Sequence, residues 1–258
     1  RVPPAVSRTE RLFAVPATPG SLQPVGIAAK DITAHLLATG PTGVGKSTVL
    51  LNLVAADAAA DRPVLVIDPK WQLIRDIVER AVPEHRLDDV VILDPADAAA
   101  TRKVVGFNPL DIGDRDPDVV VDGLIAVLAA VFHEGWGPRT EDILHSALLT
   151  LARVGECRAE QGGEPFTLLE LPRLLTDDRF RASVIGEVMD DPGLGSFWAS
   201  YLAMSAGAQA QAIAAPLNKL RQYLLRPSLR AILGQPRPRF RLRDVFKDNK
   251  IVLVPLNE

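Results

Sequence analysis

Gly40-Pro41-Thr42-Gly43-Val44-Gly45-Lys46-Ser47 matches the spacing G-x-x-x-x-G-K-[ST] at every fixed position. Gly43 and Gly45 let the backbone turn tightly, so that successive N–H groups face a phosphate chain. Lys46 is placed to neutralise β- and γ-phosphates, and the Ser47 hydroxyl to take a position on Mg²⁺. A helix opening at Lys46 adds its positive N-terminal dipole to the same anion site. The expected nucleotide-holding set is therefore Gly40, Pro41, Thr42, Gly43, Val44, Gly45, Lys46, Ser47 and Thr48, with ATP and Mg²⁺ as cofactors. Context fits this chemistry. His35-Leu36-Leu37-Ala38-Thr39 reads as a short buried strand, and Thr48 to Ala55 as an apolar helix. The competing reading is a glycine-rich turn that binds nothing.

Further on, Pro63-Val64-Leu65-Val66-Ile67-Asp68 and Val90-Val91-Ile92-Leu93-Asp94 are continuous apolar runs that each end in Asp-Pro. Buried parallel strands look like this, and the helical pattern at Leu73, Ile74, Ile77 and Val82 lies between them. The expected fold class is α/β: a P-loop nucleotide-binding fold whose mainly parallel sheet is covered by helices on both faces, with a large all-helical insertion. The insertion shows as a change of period. Val120, Leu124, Val127, Leu128 and Val131 make one apolar stripe. Thr140 is the expected cap of the next helix, and further helices are expected over 167–175, 179–189 and 208–225, with Pro216 kinking or dividing the last. Strand character returns at Lys250 to Leu256, which should dock back into the sheet. The division is 1–29 as a Pro-rich linker or edge segment and 30–115 as the first part of the nucleotide-binding core. The insertion follows over 116–235, and 236–258 is the returning strand.

Composition excludes several classes. A chain of 258 residues with 47% hydrophobic and 24% charged residues has an ordinary globular balance. The single Cys157 cannot form an internal disulfide and reads as a small packing residue. No run approaches the ~20 apolar residues of a membrane span, and the longest candidate, Val119 to Phe132, is interrupted by Asp122. The chain opens on Arg1, so a piece of a longer protein is expected. Net charge is −3, which gives no general affinity for nucleic acid. Charge is uneven, however: Lys219 to Lys250 carries +8, leaving −11 elsewhere. Arg237, Arg239, Arg241 and Arg243 alternate, so a strand would set all four on one face. That face reads either as a solvated surface, as a polyanion-binding surface, or as an interface reaching a neighbour's nucleotide.

Phosphate-loop hydrolases also need a carboxylate near Mg²⁺ and a group that orients the attacking water. Asp68 and Asp94 are candidates; neither is followed by Glu, and an Asp-Pro turn is the plainer role for both. Asp68 is the stronger candidate for a catalytic or metal role because its strand directly follows the loop's helix. Lys46 is the catalytic cation. His35 and the Arg139 of Gly137-Pro138-Arg139 are further candidates, Arg139 as an arginine finger in trans; packing and solvent exposure are their plainer roles. Trp136 and Trp198 read as packing anchors.

Together these segments resemble the FtsK/HerA superfamily of ATPases, most of all the coupling proteins of type IV secretion and conjugative DNA transfer. The resembling residues are His35 with the loop at Gly40 to Ser47, Val66-Ile67-Asp68-Pro69-Lys70, Asp89 to Pro95, and Gly106-Phe107-Asn108-Pro109-Leu110. Gly137-Pro138-Arg139, the helical insertion and the closing strand match in order and spacing. The resemblance implies a homo-hexameric ring motor that hydrolyses ATP and translocates DNA or a DNA–protein complex. It also implies cargo recognition by the insertion, a place in the cytoplasm at the inner face of the membrane, and membrane or channel association through regions outside these residues. Two departures stand out. Trp71 and Gln72 follow Asp68-Pro69-Lys70 where the family has glycine and an acid, and the strand carrying the family's catalytic Glu is expected beyond Glu258. A small-molecule phosphate-loop kinase, with the Arg237 to Arg243 run as its lid, is one alternative. A nucleotide-gated docking module without turnover is the other. No Ser-Gly-Gly-Gln transporter signature is present.

Overall fold

The computed structural model describes residues 10–15, 24–28, 30–31, 35–96 and 104–256. The chain forms two compact units, residues 1–96 with 240–258, and residues 97–239. Much of the Pro-rich opening, including Pro16 and Pro19, lies outside the described residues.

In the first unit, β1 (Glu10–Ala14) and β2 (Val25–Ala28) pair antiparallel. After α1 (Lys46–Ala59) come β3 (Val64–Asp68), α2 (Gln72–Arg80), a 3₁₀ turn over Glu84–Asp89 and β4 (Val90–Ile92). The β1–β2 pair is fastened to α1, where Arg11 meets Asp57 and the Asn52 amide donates to the Phe13 carbonyl. The unit closes with a single helical turn at Asp244–Lys247, followed by β5 (Ile251–Pro255). The strand order is β3-β5-β4, parallel throughout, with Val64 and Val90 both opposite Ile251. Thus β5 is the centre of the sheet, and it is correspondingly the most buried strand, with Ile251, Val252 and Leu253 fully enclosed.

One face of this sheet holds the unit's core. Val54, Ala55 and Ala58 of α1 and Leu73, Ile74 and Ile77 of α2 pack on Val64, Ile251 and Leu253. The opposite face of β3 is not covered by helices as expected: among the described residues it is open, and its alternate residues Leu65 and Ile67 are 51% and 59% exposed. The strand expected at His35 to Thr39 does not form: residues 35–40 are irregular and exposed. His35 sits at φ 60°, outside the extended region, and among the described residues no strand lies beside it to share backbone bonds.

Polar groups stitch β5 into place. Arg86, 3% exposed, donates to Asp89, to the Ala58 carbonyl of α1 and to the Asn249 carbonyl just before β5. Lys250 donates to the other oxygen of Asp89 at 2.9 Å. The Lys250 ammonium, aided by Arg86, holds the Asp89 carboxyl below its ordinary pKa, against an opposing effect of burial.

The second unit is helical. It runs from the helix at Pro117–Val131, through the long helix at Pro138–Glu160, to Glu170–Thr176, Asp178–Ile185, Pro192–Leu202, Ala206–Leu224 and Pro227–Leu233. Asp116, Asp177, Asp191 and Ser205 cap four of these with side-chain oxygens on backbone N–H groups. Helix 138–160 is the axis, since Ser146 to Ala152 are buried at every position. Its Thr150 is satisfied inside that core, accepting the Trp198 indole N–H at 2.9 Å and donating to the Ser146 carbonyl. Trp198 is fully buried in the core and Trp136 packs against its edge.

Three local expectations are corrected here. Thr140 is not the cap: the helix starts two residues earlier because Pro138 takes the first-turn position that suits its fixed φ, and Gly137 is the cap. Pro216 does not divide helix 206–224; it lies buried inside it, where packing offsets the missing hydrogen bond. Cys157 is exposed rather than packed, because it falls on the solvent side of the last turns of helix 138–160. Asp191 joins two helices of this unit by accepting the Leu194 N–H and the Arg153 guanidinium, which lower its pKa.

Arg86→Ala should lower stability by about 3 kcal/mol in urea unfolding, because Asp89 loses one of its two donors while two carbonyls each lose a donor at the same time. The Asp89 share of stability is in place above pH ~4 and is lost as pH falls through the lowered folded-state value. Asp89→Asn should therefore flatten the acid limb of the stability–pH curve while leaving its neutral slope unchanged.

Candidate nucleotide site

The loop before α1 has the backbone that its glycines allow. Gly43 and Gly45 sit at φ 89° and 94°, a region that strains any residue with a Cβ. Gly45 is the residue from which α1 springs, and its carbonyl accepts the Val49 N–H at 3.0 Å. No side chain caps this helix start and no acid lies in its first turn, so no acidic side chain of the helix competes for its first N–H groups. Ser47 and Thr48 are exposed there.

Lys46 folds back over the loop. Its Nζ donates to the carbonyls of Gly40 and Pro41, each at 2.7 Å. Among the described residues the ammonium has carbonyl acceptors but no carboxylate, so its charge is solvated by dipoles rather than neutralised. Two left-handed glycines, an uncapped helix start and an unneutralised lysine are the donor set that a polyphosphate requires. The residues therefore fit the phosphates of a nucleotide. Ser47 offers the single hydroxyl that the motif assigns to Mg²⁺, and among the described residues no cluster of His, Cys, Asp or Glu offers another metal site.

The two candidate carboxylates are engaged in local structure. Asp68 accepts the Leu73 N–H at 2.9 Å through one oxygen and the Lys70 N–H at 3.3 Å through the other. It thereby ties the end of β3 to the start of α2. Asp94 accepts the Ala96 N–H at 2.8 Å in the equivalent turn after β4. Between Asp68 and α2, Trp71 is left-handed, at φ 61° and ψ −25°, while its ring packs against the α1–α2 core. The turn asks for positive φ, a conformation that glycine adopts without strain. For a bulky side chain that conformation costs about 1 kcal/mol or more.

His35 is exposed five residues before Gly40. Arg139 is the exposed second residue of helix 138–160 and belongs to the other unit. The expected strand through Arg237, Arg239, Arg241 and Arg243 does not form. Pro236 and Pro238 remove two ladder donors, and Asp244 accepts the Arg241 N–H at 2.8 Å to close a turn into helix 244–247. Arg237 donates to the Gly163 carbonyl, and the run crosses from one unit into the other at Phe240.

Comparison of the whole structure with solved ones gives a bacterial conjugative coupling protein, TrwBdeltaN70, in its unbound form. The two superpose with a TM-score of 0.54 at 18% sequence identity, over 91% of this chain and 49% of the other. The chain has the fold of that coupling protein. It is an α/β fold that contains a parallel sheet and many helices, and it spans about half of the length of the structure it matches. No protein-family model matches the sequence. A search of the curated proteins gives no match either.

Gly45→Ala should strain the loop and weaken ATP binding by at least about tenfold, while the melting temperature falls by only a few degrees. Asp68→Ala should do the reverse. Losing two capped N–H groups costs about 1 kcal/mol of stability in denaturant unfolding, with ATP affinity unchanged. Loss of Mg²⁺-dependent binding in Asp68→Ala would instead make it a metal residue.

Proposed function

We propose that this chain is the ATP-binding part of a motor ATPase that couples ATP hydrolysis to the movement of DNA or a DNA–protein complex, as in conjugative transfer and type IV secretion. The observation that carries the reading is the left-handed glycine loop with its unneutralised Lys46, set in a fold shared with a conjugative coupling protein.

In this reading the N–H groups from Gly43 to Thr48 hold the phosphates, and Lys46 leaves its two carbonyls for them. Ser47 would hold Mg²⁺, which when bound would supply neutralisation of phosphate charge. The loop does not move water itself. Both candidate carboxylates, Asp68 and Asp94, already accept backbone N–H groups, so the group that orients the attacking water is proposed to come from a glutamate outside these residues. Arg139, exposed at a helix start, is proposed to reach the γ-phosphate of a neighbouring copy in a homo-hexamer. The Arg237 to Arg243 run is proposed to meet DNA or a neighbouring subunit. Among the described residues no helix is long and apolar enough to cross a membrane. Attachment at the inner face of the cell membrane is accordingly proposed to use other regions of the full protein.

The engagement of both carboxylates also favours a second reading, a nucleotide-gated docking module without turnover. Hydrolysis separates the two. ATP turnover by the full-length protein should rise at least about tenfold with double-stranded DNA, and residues 1–258 alone should bind ATP but turn it over poorly. No turnover under any condition would favour the docking module, and robust turnover by residues 1–258 would place the missing acid within them. Replacing Arg237, Arg239, Arg241 and Arg243 with Ser should weaken DNA binding. The slope of log affinity against log salt should then shrink by about one unit for each phosphate that is no longer neutralised.

A further inference from the structure

Between Asp191 and Asp244 the sequence contains no Asp or Glu, yet it holds Lys219 and seven arginines. Lys219 is used internally: its ammonium donates to the Glu134 carbonyl and lies over the Phe132 ring. Arg221 and Arg230 are not. Both are exposed, and neither side chain makes an ion pair or hydrogen bond among the described residues.

These two arginines flank a groove of about 220 Å³ in the helical unit, whose floor is Leu169, Pro172, Leu224 and Leu225. The floor is apolar and held firmly. Leu224 packs inward on the unit's core, whereas Leu225 is 71% exposed. Gly234, ending helix 227–233, lies so close that a Cβ there would clash with Cδ1 of Leu169. Two acids close in sequence to the groove's Leu169 and Pro172 are engaged elsewhere. Glu170 accepts the Thr167 N–H and hydroxyl, and Asp177 takes the Arg173 guanidinium.

We propose that this groove docks an acidic, leucine-bearing peptide segment of a partner protein. Two carboxylates would sit on Arg221 and Arg230, and an aliphatic side chain would cover Leu225 and the Leu169–Pro172 wall. Guanidinium groups pair with carboxylates in a planar, two-bonded geometry that compact cations cannot match. An exposed aliphatic floor gains from a side chain that removes it from water. A nucleic acid satisfies only half of this surface. Its phosphates would suit the arginines, but the lining offers no aromatic ring on which a base could stack. The groove belongs wholly to the helical unit, whereas the nucleotide loop belongs to the other.

The test is fluorescence anisotropy on residues 1–258 with a fluorescein-labelled peptide of alternating glutamate and leucine. Equal-length glutamate–serine and lysine–leucine peptides and single-stranded oligothymidylate are the comparisons. The glutamate–leucine peptide should bind best, and Arg221→Ala with Arg230→Ala should weaken it at least about tenfold. Both positions are exposed, so circular dichroism and melting should be unchanged. Leu225→Ser should weaken binding with its salt dependence intact, and Arg221→Glu with Arg230→Glu should transfer preference to the lysine–leucine peptide. Equal binding by the double alanine variant, or by the glutamate–serine peptide, would overturn the proposal. Oligothymidylate binding more tightly through the same arginines would overturn it too, by making the occupant a nucleic acid. Self-association that the double variant abolishes, without peptide binding, would overturn it in favour of a second copy of this chain.

Discussion

The unit that carries the phosphate-loop motif depends on a strand that arrives last. Among the described residues β3 and β4 do not pair with each other; each forms its ladder with β5, and without that strand neither has a partner in the sheet. Parallel pairing forbids a hairpin, so a long connection between β4 and β5 is required by geometry, and the helical unit occupies it. Closing so long a loop costs little more than closing a moderate one, since the penalty grows only with the logarithm of its length. What remains is to fix the register, and Arg86 with Lys250 does so by tying Asp89, α1 and the residue before β5 together. The α1–α2 layer, and with it the direction of the phosphate loop's helix, rests on that closed sheet.

Function at the loop follows from what the structure leaves unsatisfied. A helix start with neither cap nor acid, beside a lysine that faces only carbonyls, is a poor arrangement for stability and a good one for a polyanion. The turn after β3 shows the opposite logic. Asp68 is occupied by backbone N–H groups, and Trp71 tolerates a left-handed backbone while its ring packs on the core. The residues that fit a polyphosphate and those that hold the local turn are thus different ones.

Local chemistry was legible in the sequence; chemistry that depends on a partner was not. The glycine loop, the apolar runs at Val64 and Val90 and the stripes of the helical unit each carry their signal within a few residues, and each takes the expected backbone. The fold shared with a conjugative coupling protein agrees with the resemblance drawn from those same segments. His35 to Thr39 stays irregular despite its apolar character, because a strand forms only where a neighbour shares its hydrogen bonds. The alternating arginines at 237–243 satisfied a period of two, but Pro236, Pro238 and the Asp244 turn overrule it. The β1–β2 pair was hidden because its strands are short and prolines surround them, and its position depends on contacts with α1 far along the chain. Arg86 carried no motif at all, because its three acceptors come from three separate segments.

The central claim is that the Gly40 to Thr48 loop is a preformed cradle in which Lys46 exchanges two carbonyls for phosphate. The most direct measurement is a heteronuclear NMR titration with ATP and Mg²⁺ that follows the loop amides and the Lys46 ammonium. Saturable shifts at Gly43, Gly45, Lys46 and Ser47, absent when adenosine replaces ATP, are the predicted result. Unmoved loop signals at saturating ATP, or shifts confined to other residues, would contradict the account.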